Sequence, residues 1–153
     1  EAVQLTAQSN DAQGQAIGGA ELEFDSGAPT IADVTREGLV SATGPVGATE
    51  IVVASGRAEA RVPIVVRPGA VAALAVGAPV PAEAPADDAL EAVVRATDAF
   101  GNAVPGVAVT FAADPDAGAV DPPSAITDAG GLARARWTPG RAAGPHALTA
   151  AAA

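Results

Sequence analysis

The sequence predicts an all-β chain, and two features of its 153 residues lead to that prediction. Proline and glycine, 13 and 17 in number, are scattered throughout and leave no stretch in which a helix could continue, although alanine, a good helix former, is abundant. Between these breaks, large apolar residues alternate with small or polar ones. A period of two places the large residues on one face of a strand, so the pattern indicates half-buried strands joined by turns.

In the first half of the chain, short alternating or apolar runs are separated by turn-forming residues. Glu37-Gly38 predicts a hairpin and Ser55-Gly56 a tight turn. Pro63 lies inside the last run, and because proline cannot donate to a strand ladder, it predicts an edge strand. The strands that this pattern predicts are 3–8, 21–24, 31–34, 39–40, 50–54 and 58–66.

The same runs carry a resemblance to a known family. The segment ADVTREGLVSA (32–42), followed by GATEI (47–51), resembles the hallmark of the bacterial Ig-like domain of group 2. The preceding VQLTA and GAELEF segments stand in the matching order. The resemblance covers residues 1–67 and implies an Ig-like β-sandwich there.

The second half is organised around residues 98–113, DAFGNAVPGVAVTFAA. Asp98, Gly101 and Asn102 are turn formers, and the following valines and phenylalanine alternate as in a half-buried strand. Before this half, residues 67–70 form a short joint that proline makes semi-rigid. The pattern predicts strands at 71–76, 90–97, 107–112, 118–120, 124–127, 132–137 and 146–152, a loop at 77–88, and a hairpin turn at 128–131.

Three segments of this half resemble a second family. They are residues 98–113, TDAGGLARARW (127–137) and AAGPHALTA (142–150), and in this order they are similar to the bacterial Ig-like domain of group 1, the invasin/intimin type. The family more often has proline directly after the asparagine, where this chain has Ala103-Val104-Pro105. The resemblance covers residues 69–153. Together the two resemblances imply two Ig-like β-sandwich domains in tandem, 1–67 and 71–153, with 68–70 as the linker.

The charge of the chain limits the classes of partner that it can bind. Each side of Pro68 carries nine acidic residues and four arginines, so each half contributes −5 to the net charge of −10. An evenly negative surface argues against nucleic acid and anionic membranes as partners. The absence of cysteine excludes disulfides, and no apolar run is long enough to insert into a membrane. Since methionine is also absent, we expect Glu1 to follow a longer native sequence.

Candidate chemical residues are few. His146 follows a Gly-Pro turn with no nucleophile in a recognised motif, so we expect it to be exposed and without a catalytic role. Trp137 faces the same side as Ala133 and Ala135, which favours the core over an exposed binding anchor. Paired-carboxylate hydrolysis is disfavoured, because the acids sit in turns and almost no aromatic residues could line a sugar cleft.

Calcium is the more serious alternative, because loop carboxylates are the ligands it prefers, although no run has the spacing of a calcium loop. The interdomain joint has no acid. The candidate oxygen donors are Asp87, Asp88, Asp98, Asn102, Asp114, Asp116, Asp121 and Asp128. We therefore expect no catalytic, cofactor-binding or metal-ligating residues, with a calcium ion as the alternative.

The family resemblance implies a non-catalytic structural or adhesion module of an exported bacterial protein, located outside the cell or on its surface. It would act as a stalk or spacer whose partners are neighbouring domains of its own chain. Two alternatives stay open. One is a self-assembling subunit of a filament or surface layer, joined through strand edges. The other is an accessory module of a secreted polysaccharide-active enzyme.

Overall fold

The computed structural model describes residues 2–81, 83–85 and 88–153, and every regular element in that part of the chain is a β-strand. The all-β prediction is confirmed. The chain divides into two compact units, residues 1–67 and 68–153. Within the described residues, no helix is present that is long and apolar enough to cross a membrane.

The first unit contains six strands in two antiparallel sheets. Its longest pair, β5 and β6, is closed by the predicted tight turn at Ser55-Gly56. β6 lies at the edge of its sheet, as Pro63 predicts. The sheets have the orders β1-β4-β3 and β2-β5-β6, and the strands are β1 (Ala2–Gln4), β2 (Glu23–Ser26), β3 (Ala32–Val34), β4 (Leu39–Ala42), β5 (Gly47–Ser55) and β6 (Ala58–Val66).

The core of the first unit lies between these two sheets. Ala32 and Val40 come from one sheet, and Ile51 and Val53 come from the other. Ile51 is 0% exposed and is the largest of these fully buried side chains. The buried Ser26 hydroxyl donates to the carbonyl of Ala32 at 2.6 Å, which ties β2 to β3 across the sandwich. The first unit is therefore a small sandwich held by these four apolar side chains, by the partly buried hydrophobic residues packed against them and by the Ser26 hydrogen bond between its sheets.

The second unit contains seven strands, also in two antiparallel sheets. The central strand β9 alternates as the sequence predicts, with Val109 and Phe111 buried on one face. In the other central strand, β8, Val93 departs from the predicted alternation because it is buried on the opposite face from Ala92. The sheets have the orders β10-β12-β8-β7 and β11-β9-β13, and the strands are β7 (Ala73–Val76), β8 (Leu90–Thr97), β9 (Ala108–Ala113), β10 (Ala119–Asp121), β11 (Ser124–Ile126), β12 (Leu132–Thr138) and β13 (Leu148–Ala152).

In the core of the second unit, small residues of one sheet pack against large residues of the other. Ala92, Ala133 and Ala135 from the four-stranded sheet face Val109 and Phe111 from the three-stranded sheet. Trp137 is buried on the same strand as two of these alanines, as predicted. Its indole N–H donates to the carbonyl of Ala117 at 2.8 Å, which satisfies the polar atom of the ring.

The structure corrects two expectations from the sequence. The first strand ends at Gln4, not at residue 8, because Leu5 makes the last backbone bond, to Gly38, before the chain turns away. The turn at 128–131 does not join two paired strands. β11 pairs with β9 and β12 pairs with β8 and β10, so this turn carries the chain from one sheet to the other.

We expect Ile51→Ala to lower the free energy of unfolding of the first unit by about 2–5 kcal/mol, because it leaves a cavity in a core with few large side chains. Chemical denaturation followed by circular dichroism measures this loss. Fluorescence of Trp137, the only tryptophan, reports on the second unit separately and should keep its midpoint. Val65→Ala, at a side chain 65% exposed, is the control. An unchanged transition in Ile51→Ala would contradict the assigned core.

Candidate functional site

Four loops of the chain share one hydrogen-bonding pattern over five residues. The first residue is Asp or Thr, and its side-chain oxygen accepts hydrogen bonds from the backbone N–H groups two and four residues later. Its own N–H donates to the carbonyl four residues later, and the N–H of the fourth residue donates back to its carbonyl. These loops, called the Asx/Thr loops below, start at Asp11, Thr35, Asp98 and Asp128.

The fourth position of each Asx/Thr loop is a glycine with positive φ, between 73° and 82°. This is the left-handed region, which glycine enters without steric cost. Gly131 shows a second reason, because a Cβ atom there would lie 2.6 Å from the carbonyl oxygen of Ala96. The loop therefore requires a short side chain with an acceptor oxygen at its first position and glycine at its fourth. This combination is typical of the three-residue turn with a glycine bulge.

Asp98 is the most fully bonded member of this set. It is only 5% exposed, and one carboxylate oxygen accepts from the N–H groups of Phe100 and Asn102, both at 2.9 Å. The other oxygen accepts from the Asn102 side-chain amide and from the N–H of Gly69, both at 3.0 Å. The Asn102 amide, together with the three backbone donors, lowers the pKa of Asp98 from 3.8 to about 2.

Asp98 thus connects the turn between the sheets to the start of the second unit. Gly69 belongs to the segment that precedes β7, and its N–H has its acceptor 29 residues further along the chain. Four N–H donors stabilise the charged form of this buried carboxylate. The site is consequently an anchor for the backbone, with its acceptor oxygens already occupied.

The Asp98 and Asp128 loops are bonded to each other's neighbours. The carbonyl of Gly131 accepts from Ala96 at 2.8 Å, just before the Asp98 loop. The buried Thr127 hydroxyl donates to the carbonyl of Val104 at 2.8 Å and accepts from the N–H of Val107 at 2.9 Å. These two passages of the chain between the sheets, β8 to β9 and β11 to β12, therefore form one hydrogen-bonded end of the sandwich.

The other candidate residues from the sequence do not join this network. His146 is half-buried, not exposed as predicted, and its ring nitrogen Nε2 lies 2.8 Å from the carbonyl oxygen of Ala142. Of the proposed calcium donors, the structure brings together Asp98 and Asn102, and Asp87 lies outside the described residues. Across residues 2–81, 83–85 and 88–153, no three His, Cys, Asp or Glu side chains form a group able to hold a metal ion.

The sequence profile of the bacterial Ig-like domain (group 1) family matches residues 77–153. The chain belongs to this family. The group 1 resemblance of the second half is thereby confirmed, and the motif DAFGN that carried it is the Asp98 loop. In this bacterial Ig-like chain, the two sheets of the second unit and the turns between them are therefore those of an Ig-like sandwich.

This Ig-like chain is similar to several solved structures. FdeC, an Escherichia coli adhesin, is 18% identical with a TM-score of 0.56, over 93% of this chain and 52% of that one. The D00-D0 domain of intimin is 13% identical with a TM-score of 0.50, over 91% and 82%. Domains 4-9 of the surface layer protein SbsC are 21% identical with a TM-score of 0.44, over 98% of this chain and 23% of that one. No curated protein matches the sequence.

Sequence reasoning identified the Asp98 turn but missed the shared loop. The spacing Asp-x-x-Gly at 11–14, 98–101 and 128–131, with Thr35-x-x-Gly38, was the available signal. This signal becomes visible only when the four turns are compared with one another. The long-range bond to Gly69 has no counterpart in the sequence, since it depends on the tertiary fold.

We expect Asp98→Ala to lower the melting temperature of the second unit by about 5 °C or more, because four N–H donors lose their acceptor. Trp137 fluorescence during thermal unfolding measures the change. Asp116→Ala removes an exposed turn carboxylate of the same unit and serves as the matched control. Equal effects of the two substitutions would show that Asp98 is not an anchor.

The second unit should also lose stability in acid through Asp98. Because the folded pKa lies below the ordinary value, the contribution is complete above 3.8 and disappears as the pH falls from 3.8 to about 2. The melting temperature measured across this interval by Trp137 fluorescence should fall with the pH. Asp98→Asn, which cannot ionise, should show a shallower dependence, and an identical slope in both proteins would contradict this assignment.

Proposed function

We propose that this chain is a non-catalytic structural and adhesion module of an exported bacterial surface protein, in which it acts as a stalk or spacer. In this proposal residues 1–67 form an Ig-like domain of the group 2 type and residues 71–153 one of the group 1 type, with 68–70 as linker. The observation that carries it is that two compact units with separate cores follow each other directly along the chain, with the boundary after Arg67. A stalk needs folded units connected by joints too short to act as free tethers.

The anchoring of the joint supports a spacer. The backbone at Gly69 is held in place by a residue distant in the sequence, because its N–H donates to the buried carboxylate of Asp98. Ala72 is likewise bonded through its N–H to the carbonyl of Thr97 at 2.8 Å. The segment that enters the second unit is thus part of its folded structure.

The chemistry of the candidate residues also supports a structural role. His146 contacts a backbone carbonyl, Trp137 fills the core, and Asp98 and Asp128 bind backbone N–H groups of their own loops. Each of these side chains has a role in the fold. We propose accordingly that the module works without a cofactor, and that its charge keeps it soluble.

The features of the longest edge strand favour a stalk over assembly through strand edges. β6 contains Pro63, which cannot donate to an added strand, and Arg61 forms ion pairs with Glu59 at 2.6 Å and with Glu50. Proline and charged residues are the features by which natural edges resist pairing. The adhesin FdeC shares the fold, and from its setting we propose an extracellular or cell-surface location, with neighbouring domains of the same chain as partners.

Multi-angle light scattering of the purified chain, with and without Ca²⁺, tests this proposal. We expect a monomer near the sequence mass of 14.7 kDa in both conditions, because the β6 edge resists pairing and Asp98 already has its donors. A large assembly would replace the stalk with self-association. A change of mass or melting temperature on adding Ca²⁺, reversed by EDTA, would instead support the calcium alternative.

A further inference from the structure

The second unit contains a mostly apolar cavity of about 870 Å³ beside its core, partly open to solvent. The cavity lies where the edge strands of the two sheets, β7 and β13, face each other, and residues 80, 81, 83, 84 and 143–146 also border it. Most of its wall is apolar. The principal lining side chains are Leu74, Leu90, Val94, Phe111, Trp137 and Leu148.

The size of this cavity sets it apart from a packing defect. Protein interiors contain few voids larger than one water molecule, whose share of liquid volume is about 30 Å³. Pockets for small molecules span about 300–1,000 Å³, and the cavity lies within that range. Its origin is visible in the composition, because Ala92 and Ala150 occupy wall positions where larger side chains would fill the space.

The wall that holds the aromatic ring is fixed by backbone contacts. The indole N–H of Trp137 is bonded to the carbonyl of Ala117, so the ring is held at one position. Two glycines keep the adjoining turns in close contact. A Cβ atom on Gly118 would lie 2.0 Å from the carbonyl oxygen of Thr138, and one on Gly140 would lie 2.2 Å from that of Asp116. This side of the cavity is therefore preformed.

The charges in the wall define the class of ligand. The described lining contains one carboxylate, Glu83, and one imidazole, His146, and neither arginine nor lysine. An anionic ligand such as a free fatty acid would meet no arginine or lysine among the described lining residues, and would lie near the Glu83 carboxylate, and an unpaired charge removed from water is strongly disfavoured. An uncharged apolar molecule meets no such penalty and gains by displacing water from the apolar wall.

We propose that this cavity binds a neutral hydrophobic small molecule, such as a neutral hydrocarbon chain or ring system, in contact with Trp137. The chain thereby gains a binding site within its own sandwich, separate from any function as a spacer. The position of the single tryptophan in the wall makes the site directly observable.

Fluorescence titration of the full chain with N-phenyl-1-naphthylamine, an uncharged apolar dye, tests the proposal. We expect saturable binding of one dye per chain, with energy transfer from Trp137 because the dye would lie against the indole ring. Ala150→Phe should weaken binding at least about tenfold by filling the cavity. Ala151→Phe adds the same ring to the exposed opposite face of β13 and should leave the affinity unchanged.

Each other outcome counts against the site. Absence of energy transfer in the wild-type chain, or equal affinity in Ala150→Phe and the wild type, would overturn the proposal. Circular dichroism of each variant checks its fold. Should Ala150→Phe fail to fold, Leu74→Phe enlarges a different wall residue, and retained affinity there would overturn the proposal as well.

Discussion

The binding of backbone N–H groups by the Asp98 carboxylate is the interaction on which the second unit depends. The chain must pass from one sheet of the sandwich to the other at this point, and the passage leaves N–H groups without strand partners. Asp98 accepts from two of them within its own loop and from Gly69 at the start of the unit. Asn102 adds a side-chain donor, so the buried charge is satisfied on both oxygens.

The Thr35 and Asp128 loops use the same hydrogen-bonding pattern, but their side chains bind only N–H groups of their own loop. Asp128 also carries the chain between sheets, and its loop adjoins that of Asp98 through Gly131. Thr35 closes the hairpin between β3 and β4, where a neutral hydroxyl suffices. The acidic residues that dominate the charge of the chain are in these cases bonded within the fold.

The abundance of alanine has opposite effects on the packed core and on the cavity of the second unit. In the four-stranded sheet of the second unit, small side chains allow Phe111 and Val109 to approach closely from the other sheet. Toward β7 and β13 the same small side chains leave the apolar cavity. Because a sandwich keeps its sheets about 10 Å apart, small residues close the gap only where a large residue stands opposite.

The sequence by itself determined the strands, their inward faces and most of the turns, because the period of two and the glycine positions are local properties. The alternation around Phe111, the inward Trp137 and the edge position at Pro63 all followed from such local patterns. Only the tertiary structure decided what the strands pair with. It assigned the turn at 128–131 to a crossing between sheets, joined Asp98 to Gly69 and left the cavity beside Trp137. These features join residues distant in sequence or depend on volume between sheets, and no local pattern encodes either.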